Sequence, residues 1–112
     1  MRIAIPLSEG KLSKHFGHLE CVALADVNPV EKQVVQLEEV QVPPLQPGRI
    51  SFWLAKLNTN LIIASDMGTR AQELFAEQGI QVIVGAQSEL PEQLVSEYLS
   101  GTLETGYNKC SH

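Results

Sequence analysis

The nitrogen and sulfur donors of this chain are concentrated in two short segments. His15, His18 and Cys21 lie close together near the start, and Cys110 and His112 lie at the end, whereas the long interior contains no histidine or cysteine. Imidazole and thiolate donors suit zinc, copper and iron–sulfur species. The sequence therefore indicates a metal site if the two segments meet in the fold, although their spacing does not require them to meet.

Each donor also has a simpler interpretation. Cys21 falls in a predicted strand, and cysteine is among the most buried residue types, so it is also expected as plain core filling. His18 fits a solvated loop. His15 precedes a bulky residue and a glycine, which indicates a specifically shaped loop, and a ligand role there stays open. The two donors of the tail are as compatible with no role as with ligation.

A second candidate segment, Ser65–Arg70, lies between an apolar run and a predicted helix. A helix N-terminus presents free backbone N–H groups and a partial positive charge, which favour an anion. Gly68 would let the backbone approach such a ligand closely, and Arg70 could add a forked donor. In the alternative interpretation Asp66 or Thr69 caps the helix and the arginine only decorates the surface.

Charge and motifs exclude several classes of function. The net charge of −5 argues against binding a nucleic-acid backbone, whereas the stretch Gly10–His18 carries Lys11 and Lys14 and no acid. A basic loop on an acidic protein favours a small anionic ligand, although a solvated loop explains it equally well. No nucleophile-elbow, P-loop or dinucleotide motif occurs, and the strand Ile3–Ile5 lacks the carboxylates of a metal-dependent nuclease. We therefore expect a protein that is not an enzyme.

The pattern of apolar residues predicts one α/β domain. Short apolar or alternating runs predict strands, and apolar residues three and four apart predict helices. The predicted strands are Arg2–Pro6, Glu20–Val27, Gln33–Val42, Leu61–Ala64 and Ile80–Val84. The predicted helices cover Ile50–Leu57, the segment around Ala71–Phe75 up to Gly79, and a third helix that starts between Ser88 and Pro91 and ends at Gly101. The second and third strands should form an antiparallel hairpin, and the next two a parallel crossover. This order predicts a three-layer domain over residues 1–101 and a flexible tail over 102–112.

The opening run Met1–Pro6 enters a strand directly and lacks the features of a secretory signal. No apolar stretch approaches the roughly 18 residues of a membrane span. We therefore expect a cytoplasmic location and no membrane partner.

Several motifs together resemble the dinitrogenase iron–molybdenum cofactor biosynthesis family. The matching segments are Ile3–Pro6, Leu12–Gly17, Asp66–Ala71, Gly79–Ala86 and Cys110–His112. The resemblance implies a ribonuclease H-like fold with a five-stranded mixed sheet. It also implies binding, carrying or inserting an iron–molybdenum cofactor or a related metal–sulfur cluster.

The resemblance implies the site residues as well. The cluster would be bound by Lys14, His15, Phe16, Gly17, Met67, Gly68, Thr69 and Arg70, with His15 as the leading metal ligand and His18, Cys110 and His112 as further ligands. A client or cluster-donor protein is the implied partner.

Two other functions stay open from the residues alone. A protein–protein adaptor or regulator would use the helix face of Trp53 or the half-exposed third strand, and its cysteines would be incidental. A small-anion-binding module would need only the turn Met67–Arg70.

Overall fold

Six strands and three helices form the part of the chain that this computed structural model describes, which is residues 1–14, 20–46 and 48–106. The strands are β1 (Arg2–Ser8), β2 (Lys11–Leu12), β3 (Cys21–Asn28), β4 (Gln33–Gln41), β5 (Leu61–Ile63) and β6 (Gln81–Ile83). The helices are α1 (Ile50–Lys56), α2 (Thr69–Glu77) and α3 (Pro91–Ser100). Every predicted helix and strand is present, with ends that differ by a few residues.

The strands form one mixed sheet in the order β4-β3-β1-β5-β6, and β2 pairs with β1. The pairs β1–β3 and β3–β4 are antiparallel, which confirms the predicted hairpin, and β1–β5 and β5–β6 are parallel. The predicted count of five strands was wrong, because the described residues contain a sixth. Glu9 and Gly10 have positive φ angles of 55° and 81°, and they turn the chain so that Lys11–Leu12 pairs with the end of β1. A run of two residues is too short to show the alternation of apolar and polar residues that predicts a strand.

The first strand continues past the proline at which it was predicted to end. Pro6 pairs with Val22 on the β3 side. On the other side the pairing with β5 stops at Ala4 and Ile62. The missing N–H of Pro6 therefore falls where the parallel pairing with β5 ends, while the antiparallel pairing with β3 continues and β1 extends to Ser8.

The core lies on both faces of the sheet, as the predicted three layers require. Leu54 of α1 and Phe75 of α2 pack on one face, and Leu94 and Val95 of α3 pack on the other. Trp53 also packs against the core on the α1 face. Trp53 is therefore only partly exposed, and its neighbour Phe52 is the more exposed aromatic residue, at 38%.

The helix ends follow the sequence signals with one exception. Pro91 occupies the first turn of α3, and Gly101 follows it with a φ of 78°. Gly79, with a φ of 75°, follows α2. The N-cap of α2 is Gly68, which has no side chain, so neither Asp66 nor Thr69 occupies the N-cap position. No helix within residues 1–14, 20–46 and 48–106 is long and apolar enough to cross a membrane.

Candidate cluster-binding edge

The candidate site lies at one edge of the sheet, which we call the carboxyl edge. The parallel strands β1, β5 and β6 all end there, and β3 begins there because Cys21 pairs with Leu7. The loops after β1 and β5 are therefore neighbours, since their strands are adjacent in the sheet. Ligands of open α/β sheets generally bind outside the carboxyl ends of strands, where the chain connections diverge.

The loop after β1 leaves and returns at the same strand end. The backbone N–H of Ser13 donates to the carbonyl of Pro6 at 2.9 Å, and the N–H of Glu20 donates to the carbonyl of Leu7 at 3.2 Å. Both flanks of the segment 15–19 are therefore attached to the last residues of β1. His15, Phe16, Gly17 and His18 themselves lie outside the described residues.

An open hollow of about 640 Å³ adjoins this loop, which is within the usual size range of ligand pockets. Its described lining consists of Ser8, Glu9, Lys11, Leu12, Ser13, Lys14 and Ser88. The side chains of Lys11 and Lys14 are exposed, but Glu9 lines the same hollow, and Glu20 accepts a long hydrogen bond of 3.5 Å from Ser8. The hollow is therefore lined by both signs of charge, although the described part of the predicted basic loop itself contains no acid.

The hollow is closed on one side by the segment after β6. Ser88 Oγ donates to the carbonyl of Leu12 at 2.7 Å, and the N–H of Leu12 donates to the carbonyl of Glu89 at 3.0 Å. These bonds continue the sheet beyond β2. They fix the position of Lys11 and Lys14 on the rim.

In the turn after β5, the groups available to a ligand belong to the backbone rather than to side chains. A Cβ added at Gly68 would meet no atom within 4 Å, and its φ of −65° is one that any residue adopts. The side chain of Met67 is fully buried in the core, and its carbonyl accepts a hydrogen bond of 2.9 Å from Gln72 Nε2. Nothing in the described residues therefore requires a glycine at position 68. A bound ligand would need the open space that lies beside Gly68.

Thr69 and Arg70 form the exposed start of α2. Arg70 is 72% exposed and pairs with Glu73 at 3.4 Å, three residues further along the helix. Such a surface pair contributes little to stability and can be exchanged easily for another anion. Asp66, in contrast, is buried, at 7% exposure.

The sequence did not predict the path of the chain after α3. Leu103 packs against the core, Thr105 forms an isolated bridge with Ala86, and the N–H of Gly106 donates to the carbonyl of Gly85 at 2.6 Å. The N–H of Gly85 donates in turn to the carbonyl of Ser65 at 2.6 Å. We call residues 102–106 the return segment, because they bring the chain back to the carboxyl edge.

The last candidate ligands follow this segment. Cys110 and His112 lie outside the described residues, so the structure does not test whether they meet His15. Among the residues that the structure describes, no group of three or more His, Cys, Asp or Glu side chains is arranged to hold a metal ion. The division of the chain at residue 101 stays a prediction.

Cys21 is described, and its surroundings favour the simpler interpretation. Its side chain is partly buried and packs against the core. Burial raises the pKa of its thiol, and Glu39 and Glu20 raise it further. Because the thiolate is the form that binds metals, this cysteine is a poor ligand.

One family model matches most of this chain. The model of the family described as dinitrogenase iron-molybdenum cofactor matches residues 1–101. Uncharacterized protein MJ0580 of Methanocaldococcus jannaschii is 26% identical over 107 residues, covering 93% of this chain and 90% of its own length.

Solved structures share the fold. PH0822 superposes with a TM-score of 0.87 at 26% identity, with 96% of both chains covered. The apo form of the orange protein from Desulfovibrio gigas gives a TM-score of 0.72 at 20% identity, covering 96% of this chain and 93% of that one. At that identity the second likeness concerns the fold alone.

Proposed function

This chain belongs to the dinitrogenase iron–molybdenum cofactor family, and we propose that it binds and carries an iron–molybdenum or related metal–sulfur cluster as its cargo. It acts in cluster biosynthesis or delivery, as a carrier and not as an enzyme. We also propose a ribonuclease H-like classification of the fold, a cytoplasmic location, and a client or cluster-donor protein as partner.

The observation that carries this proposal is the meeting of three chain segments at the carboxyl edge. Both flanks of the segment 15–19 are bonded to the end of β1, and the loop after β5 begins on the neighbouring strand. The return segment is bonded through Gly85 to Ser65 of that same loop. The two donor-bearing segments, far apart in sequence, are therefore both connected to one edge.

The described residues supply binding groups of the kinds that an anionic cluster needs. Gly68 leaves open space at the start of α2, where the backbone N–H groups carry a partial positive charge. Lys14 and Arg70 add exposed cationic groups on the two neighbouring loops. His15 is the leading ligand, and His18, Cys110 and His112 would complete the metal coordination.

Anaerobic reconstitution tests this function. The purified protein is incubated with iron, sulfide and molybdate, and metal content is measured together with the visible absorption spectrum. We expect stoichiometric metal and a sulfide charge-transfer band, both lost in His15→Ala. Cys110→Ala should weaken retention, and Cys21→Ala is the matched control that should not. The absence of retained metal and of any band in the unaltered protein would contradict the carrier function.

A second candidate function, a small-anion-binding module, is favoured by the exposed start of α2, where Gly68 leaves open space beside the backbone. It would bind phosphate at the turn Met67–Arg70 without metal. In a calorimetric titration with inorganic phosphate, Arg70→Ala would then abolish binding and His15→Ala would leave it intact. The carrier function instead predicts that cluster retention depends on both Arg70 and His15.

A further inference from the structure

The junction between Gly85 and Gly106 is unusually restrictive for a contact near a chain end. Gly85 has a φ of 89°, in the left-handed region that disfavours other residues, and a Cβ added there would overlap the backbone of Gly106. Gly106 does not carry the same restriction. A Cβ added to it would lie 3.6 Å from the carbonyl oxygen of Gly85, which is an ordinary contact.

The two sides of this junction are anchored independently. Gly85 is held from within the domain, because its N–H donates to Ser65 immediately after β5. The return segment is held by the partly buried side chain of Leu103, which packs against the α3 face of the core, and by the bridge from Thr105 to Ala86. Only a residue without a side chain at position 85 lets these two anchored backbones approach to hydrogen-bonding distance.

We propose that Gly85 is a positioning residue that docks the return segment and so makes the chain beyond Gly106 start at the carboxyl edge. The chain end therefore starts at Gly106 and not directly at the end of α3. Cys110 is the fourth residue after Gly106, a span of at most about 14 Å at full extension, whereas it is the ninth residue after Gly101. Docking therefore raises the local concentration of the terminal donors beside the loop of Ser65. The purpose of this placement, which is to supply donors to a cluster, rests on the proposed function. The placement itself does not.

A disulfide reporter measures the placement without any metal. In a Cys21→Ala background, Ser65→Cys is paired with the native Cys110, and the equilibrium with reduced and oxidised glutathione yields their effective concentration. Lys56→Cys serves as the distant control, because α1 ends near the start of β1, where Arg2 donates to the carbonyl of Leu57. We expect an effective concentration at least about tenfold higher for position 65 than for position 56.

The docking residue is then tested with a matched pair of substitutions. Gly85→Ala should release residues 104–106, so that the last docked residue becomes Leu103, seven positions before Cys110, in place of Gly106, four positions before it. The 3/2-power dependence on length then lowers the effective concentration at least about twofold. Gly106→Ala should leave it unchanged, since that position has room for a methyl group. Circular dichroism verifies that each variant folds. If Gly85→Ala does not fold, Leu103→Ala takes its place, with the same fall expected.

Equal effective concentrations at positions 65 and 56 would overturn the inference, and so would equal values for Gly85→Ala and Gly106→Ala. Metal retention is measured on the same variants. A fall in both disulfide formation and metal retention supports the placement together with its purpose. A fall in disulfide formation in a protein that retains no metal leaves the positioning role standing and contradicts the proposed function.

Discussion

The substitution Gly68→Ala separates a role in ligand binding from a role in folding. The backbone at Gly68 is extended, with a φ of −65° and a ψ of 157°, and a methyl group there would meet no atom within 4 Å. Alanine can therefore adopt the native conformation without strain or overlap. Any loss of function would arise from the space that the methyl group takes from a ligand.

The expected change in stability is close to zero because two small effects oppose each other. Replacing glycine by alanine at a compatible conformation stabilises a protein by about 0.4–1 kcal/mol through the unfolded state. Glycine is, however, the better N-cap residue, and alanine at this position costs roughly 0.5–1 kcal/mol. We expect the free energy of unfolding of Gly68→Ala to stay within about 0.5 kcal/mol of the unaltered protein.

Gly79 at the other end of α2 provides the matched control. A Cβ there would also meet no atom within 4 Å, but its φ is 75°. The left-handed conformation costs alanine about 1–2 kcal/mol, of which the unfolded-state effect recovers a part. Gly79→Ala should therefore lose about 1 kcal/mol, or roughly 4 °C in Tm for a domain of this size, and should retain metal normally.

Urea denaturation and anaerobic reconstitution are run on both variants. The expected result is a crossed pattern, in which Gly68→Ala loses metal but not stability and Gly79→Ala loses stability but not metal. A loss of more than about 1 kcal/mol in Gly68→Ala would show that the space beside this glycine is not free. Unchanged metal retention in Gly68→Ala and also in the bulkier Gly68→Val would refute a cluster site at the start of α2.

Three further predictions concern the framework of the site. The hydrogen bonds from Arg2 lower the pKa of Asp26, so this pair stabilises the fold above the unfolded-state pKa of about 3.9 and the contribution disappears as the pH falls through the lower folded-state pKa. Asp26→Asn should cost at most about 1 kcal/mol at pH 7, because the pair is partly exposed, and urea titrations should converge with those of the unaltered protein as the pH falls through the folded-state pKa of Asp26; a constant difference at all pH values would speak against this ion pair. Phe75→Ala should cost about 3–5 kcal/mol in the same assay, since the side chain is fully buried, and a loss below 1 kcal/mol would mean that the core packs differently. Burial raises the pKa of Cys21, so iodoacetamide at pH 8 should modify it several times more slowly in the folded than in the urea-unfolded protein, as followed by mass spectrometry; equal rates would disprove its partial burial.

Much of the fold was predictable because local patterns and tertiary packing agree in this chain. The helical spacing of Ile50, Trp53, Leu54 and Leu57 places all four against the core. The turn signal at Asn28–Pro29 connects strands that do pair antiparallel. The family membership was also confirmed, since the motifs that carried the resemblance span most of the matched region.

The errors share one cause, which is that tertiary contacts outweighed local signals. Pro6 was expected to end β1, but the pairing with β3 continues past it to Leu7. Lys11–Leu12 became a strand because the end of β1 and Glu89 offered hydrogen bonds on both sides. Asp66 was one of two candidate caps of α2, but Gly68 occupies the N-cap position.

The sequence alone determined the kinds of chemical group available and the order of strands and helices, because donor types and apolar periodicity are properties of short segments. It left open whether β1 and β5 are parallel, and the structure shows that they are, so that the loops after them lie at one edge. Only the tertiary structure decided that the chain after α3 returns to this edge, with Leu103 in the core and Gly106 bonded to Gly85. That contact joins residues about twenty positions apart and depends on backbone hydrogen bonds and a left-handed glycine, neither of which has a period that a sequence can display.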